Sequence, residues 1–289
     1  MTGLISEFID KIVGSFNWVW RQITLDVSWY ENYFYGLIII SLLVYALELI
    51  FPWRKHQKPV RKDFWMDTFY MFFNFFIFAS VIEGFYAVTV YLIGDYSNSI
   101  AIFNPQNWPV WSALLVFFIL NDFVQWFTHV LLHRFEFLWQ FHKVHHSVKE
   151  MGYAAHLRYH WMENIFYKPL KTLVIVILGG FNIEQAFIIH FISIAIGHLN
   201  HANIKITWGP LKYIFNNSVM HLWHHAKNLP AGRKHGMNYG ISLSLWDYIF
   251  GTNYIPHESG DIELGFENDE QFPKSNLWRQ LIYPIQKKD

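Results

Sequence analysis

Long apolar runs separated by short polar stretches set the plan of this chain. In residues 1–33, Ile5, Phe8, Ile9, Ile12, Val13 and Phe16 recur at helical spacing, and Trp18, Trp20 and Trp29 stand among polar residues. That pattern predicts an amphipathic helix lying in a membrane interface. Phe34 to Phe51 is apolar apart from Glu48. At about 1.5 Å per residue it is long enough to cross most of a ~30 Å hydrocarbon layer. A basic loop follows from Arg54 to Lys62, then a second span from about Trp65 to Ile93. Gly94 to Pro109 is a loop without Lys or Arg, and Val110 to Phe127 is a third span.

Leu170 to Ile196 interrupts its apolar run with Gly179, Gly180, Asn182, Glu184 and Gln185. A helix crossing once there would leave His221–His225 on the opposite side from His129–His146. A hairpin, Leu170–Leu178 out and Ala186–Ile196 back, is therefore expected, with the Gly-Gly and polar residues making the turn. From His198 onward the sequence is mixed and loop-rich, with a Trp-Gly-Pro turn at Trp208, and the tail from Phe266 reads as partly surface-lying. The fold class expected is all-α: a polytopic membrane helical bundle with a cytosolic-face helical cap carrying the histidines. Its divisions are an interfacial segment 1–33, spans within 34–128, a histidine-bearing region 129–255 with a hairpin near 170–197, and a cytosolic tail 256–289.

Composition strengthens this picture. Of 289 residues, 53% are hydrophobic and only 15% charged, against about 25% charged in ordinary globular domains. Net charge is zero, so nothing points to a nucleic-acid partner. Cysteine is absent, which excludes disulfides, thiolate metal sites and Cys-ligated iron–sulfur clusters. The N-terminus lacks the pattern of a cleaved signal peptide. Lys and Arg favour the cytoplasmic side. The Arg54–Lys62 loop and His129 onward are therefore expected inside, the Gly94–Pro109 loop outside. Of 22 basic residues only Lys11 and Arg21 then fall outside.

The candidate chemistry is in the histidines. His129 and His133 stand at i and i+4, and His142, His145 and His146 at i, i+3 and i+4. His221, His224 and His225 repeat the second pattern. On helices these spacings put imidazoles on one face. Neutral imidazole ligates iron, copper, nickel and zinc. A single histidine on an apolar face is usually a packed or hydrogen-bonded one. Eight clustered in this way have no packing rationale, since each buried ring nitrogen needs a partner.

The same residues carry a resemblance. Asp122, His129-x-x-x-His133-Arg134, Leu138-Trp139, His142-x-x-His145-His146-Ser147 and His221-x-x-His224-His225 resemble the fatty acid hydroxylase/sterol desaturase superfamily. So do Arg158, His160-x-x-Glu163, His201-Ala-Asn203, Asn238-Tyr239-Gly240 and Trp246-Asp247. The resemblance covers roughly residues 115–255. It implies a helical membrane fold, a di-iron centre at the cytosolic face and O2-dependent hydroxylation or desaturation of a lipid. It adds His201 to the ligand candidates. His198, one turn earlier, is either a ligand or a partner of one. His156 and His160 are expected beside ligands or along a channel, His190 as a hydrogen-bonded membrane histidine, and His56, His235 and His257 at the surface. Asp122, two turns before His129 on one face, is expected to accept a ligand imidazole's second N–H. Glu83 has no assigned role beyond pairing or lining a channel.

The leading expectation is a membrane lipid hydroxylase acting on a sterol, carotenoid, ether lipid or fatty acyl chain, with O2 as co-substrate. With no haem or cluster motif in the chain, electrons are expected from an external ferredoxin or cytochrome b5-type donor. A desaturase with the same centre is the near alternative. A membrane zinc hydrolase needs only about three protein ligands, and no HExxH is present. A metal transporter or other histidine-rich metal-binding protein would string its ligands through the bilayer rather than gather them at one face.

Overall fold

The structure is a computed structural model that describes residues 2–93, 105–177 and 183–285. Among these the chain is helical, with two isolated antiparallel bridges, Phe215–Leu243 and Ala226–Leu264, and no strand. The helices are α1 (Thr2–Ile23), α2 (Tyr33–Ile50), α3 (Phe64–Phe72), α4 (Ala79–Ile93), α5 (Val110–Arg134), α6 (Glu136–His146), α7 (Trp161–Ile177), α8 (Ile183–His201), α9 (Ser218–His224), α10 (Leu245–Ile249) and α11 (Leu277–Leu281). Tyr33–Ile50, Phe64–Phe85 and Val110–Arg134 are long and apolar enough to cross a membrane. The chain is an integral multi-pass membrane protein. On α2, Ile39, Leu42, Leu43 and Leu47 are left exposed, a face suited to lipid.

The third span is longer than its apolar run suggests, because α5 continues without a break through His129 and His133 to Arg134. In the second, α3 and α4 are joined by a π-helical stretch, Phe73–Phe78, a local widening often found beside functional segments. There Asn74 donates to the carbonyls of Leu157 and Tyr159, on either side of Arg158.

Both ends of the chain pack onto the bundle. The N-terminal segment is helical and packs lengthwise and antiparallel against α4. Phe8 meets Phe85, Ile12 covers Gly84 and Ser15 bonds Ser80 at 3.0 Å. Only Phe8 and Ile12 of the periodic apolar face turn toward α4, while Ile5, Ile9, Val13 and Phe16 stay exposed. The tail also contributes to the core. Phe266, Phe272 and Leu281 enter a core with Tyr70 and Val144, and Gln280 is fully buried, donating to the carbonyls of Pro273 and Lys274.

A second core of Leu37, Met71, Phe76, Leu157 and Ile194 ties α2 and the α3–α4 helix to α8. Polar anchors fix the loops around it. Glu48 of α2 accepts the backbone N–H groups of Tyr153 and Asn203 at 2.8 and 2.6 Å. The buried Arg158 reaches Asp63, Asp67 and Ser147. The turn expected at 178–182 and the loop 94–104 lie outside the described residues. The flanking helices are described. Glu163, in the first turn of α7, touches His142, and His201, in the last turn of α8, touches His145. This pair therefore leaves from and returns to the histidine end of the bundle.

Candidate metal centre

Nine buried histidines gather into two groups, each with one ligand nitrogen per residue within 4.8 Å of all the others in its group. His129, His133, His142, His146 and His224 form one; His145, His201, His221 and His225 form the other. The division follows from helical geometry. Residues i and i+4 lie about 40° apart around a helix, while i+3 falls on the other side of i by about 60°. Thus His142 and His146 of α6 enter the first group, and the intervening His145 turns into the second. At α9, His221 and the adjoining His225 enter the second group and His224 crosses into the first. Asn217 starts this short helix by capping the N–H groups of Val219 and Met220, as an asparagine N-cap does.

Backbone carbonyls fix the rings. Nδ1 of His129 donates to Tyr239 O at 2.7 Å, that of His224 to Met237 O at 2.8 Å, that of His145 to Arg158 O at 3.0 Å and that of His201 to Gly197 O at 2.7 Å. The His133 ring is bonded to the backbone of His235. Residues 235, 237 and 239 of one loop thus hold three rings of the first group. A carbonyl cannot donate, so these Nδ1 atoms carry the proton and the matching Nε2 atoms are bare lone pairs. His145 Nε2 and His201 Nε2 nevertheless stand 3.4 Å apart. Two bare acceptors at that distance do not form a hydrogen bond; they suit a cation placed between them. His133 Nε2, buried and directed at its neighbours, has no partner. The donor set fits a metal in each group.

Burial and neighbouring imidazoles hold His142, His146, His221, His224 and His225 well below the ordinary histidine pKa, and burial takes His145 down to about 3. These rings are neutral at physiological pH, the state that ligates. Glu163 meets His142 Nδ1 at 3.0 Å, and burial lifts its carboxyl to about 8. Both charges are disfavoured, so this contact is a hydrogen bond between neutral groups rather than an ion pair. A cation on His142 Nε2 would make Nδ1–H the donor and the carboxylate its acceptor.

Asp122 does not take an imidazole N–H. Its buried carboxylate accepts Ser242 N at 3.0 Å, Leu243 N at 3.2 Å and Trp246 Nε1 at 3.0 Å. The helical face was read correctly, but its partners come from about 120 residues away, where spacing says nothing. Asp247 does the equivalent work at the other end of this segment, accepting Tyr239 N, Gly240 N and Trp126 Nε1. Asn238 adds bonds to Met220 O and Tyr254 O. These residues act on the centre through the carbonyls of 237 and 239. Sequence patterning gave them no such role.

His198 lies outside both groups. Its Nδ1 faces His156 Nδ1 at 3.0 Å and its Nε2 faces Ser41 Oγ at 3.1 Å, while His156 packs on His201 with ring centroids 5.1 Å apart. His160 is also outside, its Nε2 donating to Leu281 O at 2.9 Å. His190 lies between the rings of Tyr33 and Phe75. His56, His235 and His257 are exposed, and Glu83 pairs with Lys168 at 3.7 Å.

Fold and site together define a membrane-helical protein with two buried, all-imidazole groups whose donors suit metal. A family model for fatty acid hydroxylase matches residues 114–252. That region holds all nine grouped histidines, and over it, just under half of its length, the chain is similar to the fatty acid hydroxylase family. The chain is 31% identical over 163 residues to ornithine lipid hydroxylase OlsE of Rhizobium tropici, covering 56% of this chain and 48% of that one. It is 31% identical over 149 residues to human alkylglycerol monooxygenase, covering 50% and 30%. It is 28% identical over 157 residues to methylsterol monooxygenase 1-1 of Arabidopsis thaliana, covering 52% and 49%. The chain thus spans half or less of these relatives. No solved structure matches it.

Proposed function

We propose that the chain is a di-iron, O2-dependent hydroxylase of a membrane lipid, with its centre on the cytoplasmic side and its electrons supplied by a separate ferredoxin or cytochrome b5-type protein. The observation that carries the reading is the pair of buried imidazole groups with their Nε2 lone pairs turned inward. Two irons held there would supply O2 reduction and oxidation of an unactivated C–H bond, which no side chain in the chain can perform.

The protein's own part is positioning and exclusion of water. The five imidazoles of the first group and four of the second hold the ions. The carbonyls of Tyr239, Met237, Arg158 and Gly197 keep the rings in the ligating tautomer. Glu163 would accept the hydrogen bond from His142 Nδ1–H when that ring ligates. Burial of all nine rings keeps water from the centre. The three relatives described above are named as hydroxylases or monooxygenases, which supports hydroxylation over desaturation.

The test is anaerobic loading of purified protein with Fe(II), followed by turnover under 18O2 with a membrane lipid extract and a reduced donor. Label in a hydroxylated lipid is the expected result. An alkene product without label would replace hydroxylation by desaturation, and activity with zinc but not iron would remove the oxygenase reading.

A further inference from the structure

Two short segments outside the long apolar helices expose a continuous apolar surface. Trp208, Leu211, Tyr213, Ile214, Ile249 and Phe250 are between 44 and 60% exposed. The segments are built together. Phe215 bridges Leu243, Leu245 N donates to Ile214 O at 3.3 Å and Ser244 Oγ to Lys212 O at 2.6 Å. Trp208 takes a left-handed backbone, φ 56°, and its indole N–H is tied to Asn216 O at 2.9 Å. A bulky residue is disfavoured in that region, so local bonding holds the indole in a conformation the backbone resists. A water-facing surface gives no return for such an arrangement, and soluble domains seldom leave apolar patches of this extent open.

We propose that residues 208–215 and 245–250 form a lip that enters the lipid interface at the histidine end of the bundle, an anchor separate from the spanning helices. Continuity with the third span identifies lipid as the occupant. Phe250 stacks on Trp126 of α5, with centroids 4.7 Å apart, and lies against Phe123. Phe127, on the following turn, is itself exposed. The span's outer face therefore runs directly into the lip. The composition agrees: Trp and Tyr with aliphatic neighbours, and Lys212 over the Tyr213 ring at 5.5 Å, are what a membrane–water boundary selects.

The absence of cysteine makes the test direct. Leu211→Cys, Ile249→Cys and, in an exposed polar loop, Lys234→Cys each carry one spin label on the full chain in nanodiscs of phosphatidylcholine and phosphatidylglycerol. At 211 and 249, dissolved O2 should broaden the spectrum more than a water-soluble nickel chelate does; at 234 the order should reverse. Labels at 211 and 249 as open to nickel as the one at 234 overturn the proposal. Shielding from both reagents with coupling between identical labels also overturns it, in favour of contact with a second copy. The readout needs neither metal nor turnover, so its failure leaves the proposed activity standing, and failure of that activity leaves the lip standing.

Discussion

Replacing Asp122 tests whether the first histidine group depends on a carboxylate that touches none of its members. Asp122 accepts two buried backbone donors and the part-buried Trp246 indole, and the segment they belong to carries the Tyr239 carbonyl that holds His129. An orphaned buried donor costs ~1–3 kcal/mol. Asp122→Ala orphans all three. Taking the low end of the range, because the variant also removes a carboxylate that was costly to desolvate, the loss is about 3 kcal/mol. Asp122→Asn keeps one oxygen, which can serve Leu243 N and Trp246 Nε1 while its amide faces Ser242 N. That orphans one donor, for about 1 kcal/mol. At ~2–4 °C per kcal/mol for chains approaching this size, Asn should lower the melting temperature by a few degrees and Ala by roughly three times as much. The assay is thermal unfolding followed by tryptophan fluorescence in detergent, with metal per chain measured on the same samples. Metal should fall in the same order, Ala below Asn below wild type. Wild-type melting and full metal in Asp122→Ala would show that residues 239–246 are held by something else. Equal losses in the two variants would show that counting acceptors is the wrong account.

Further expectations follow from the same geometry. His224→Ala and His225→Ala should each halve the iron bound at saturating metal while leaving insertion into membranes unchanged, and different spectroscopic components should be lost because the two residues serve different groups. Loss of both ions in either single variant would contradict the division. Before metal is added, stability should fall as pH drops below ~6.5, the several depressed imidazoles outweighing the single raised carboxyl of Glu163, which works in the opposite sense up to pH ~8. A buried imidazole such as His145, held down to about 3, leaves the unfolded state binding more protons between the two pKa values. Each such ring then costs up to about 1.4 kcal/mol per pH unit over that window; denaturant midpoints rising from pH 7 to pH 5 would refute it. Gly197→Ala should displace the His156 ring, which occupies the space a Cβ would fill. Lower iron affinity of the second group is expected, with near-normal affinity at the first.

Much of this was legible in the sequence. Apolar run lengths marked the spans, and the 3.6-residue period marked which imidazoles share a face. What stayed hidden depends on contacts between distant segments. The period could show that His145 points away from His142 and His146, but not that His201 and His225 wait on that side. Asp122, Asp247 and Asn238 stood within the resemblance, yet their hydrogen bonds run to backbone groups, which leave no trace in residue identity. The lip at Trp208 looked like an ordinary loop, because a Trp-Gly-Pro turn reads the same whether water or lipid lies beyond it. His198 shared a helix with His201 at a spacing of three, but its ring bonds His156 and Ser41 instead.

The exchange of single imidazoles between α6 and α9 ties the two halves of the centre mechanically. Each helix contributes mainly to one group and lends one ring, His145 or His224, to the other. Pulling the helices apart would therefore open both coordination spheres at once, and filling either one draws the same two helices together. A chain holding only one ion would already have its second cage largely assembled, so half-loaded protein should be scarce during uptake.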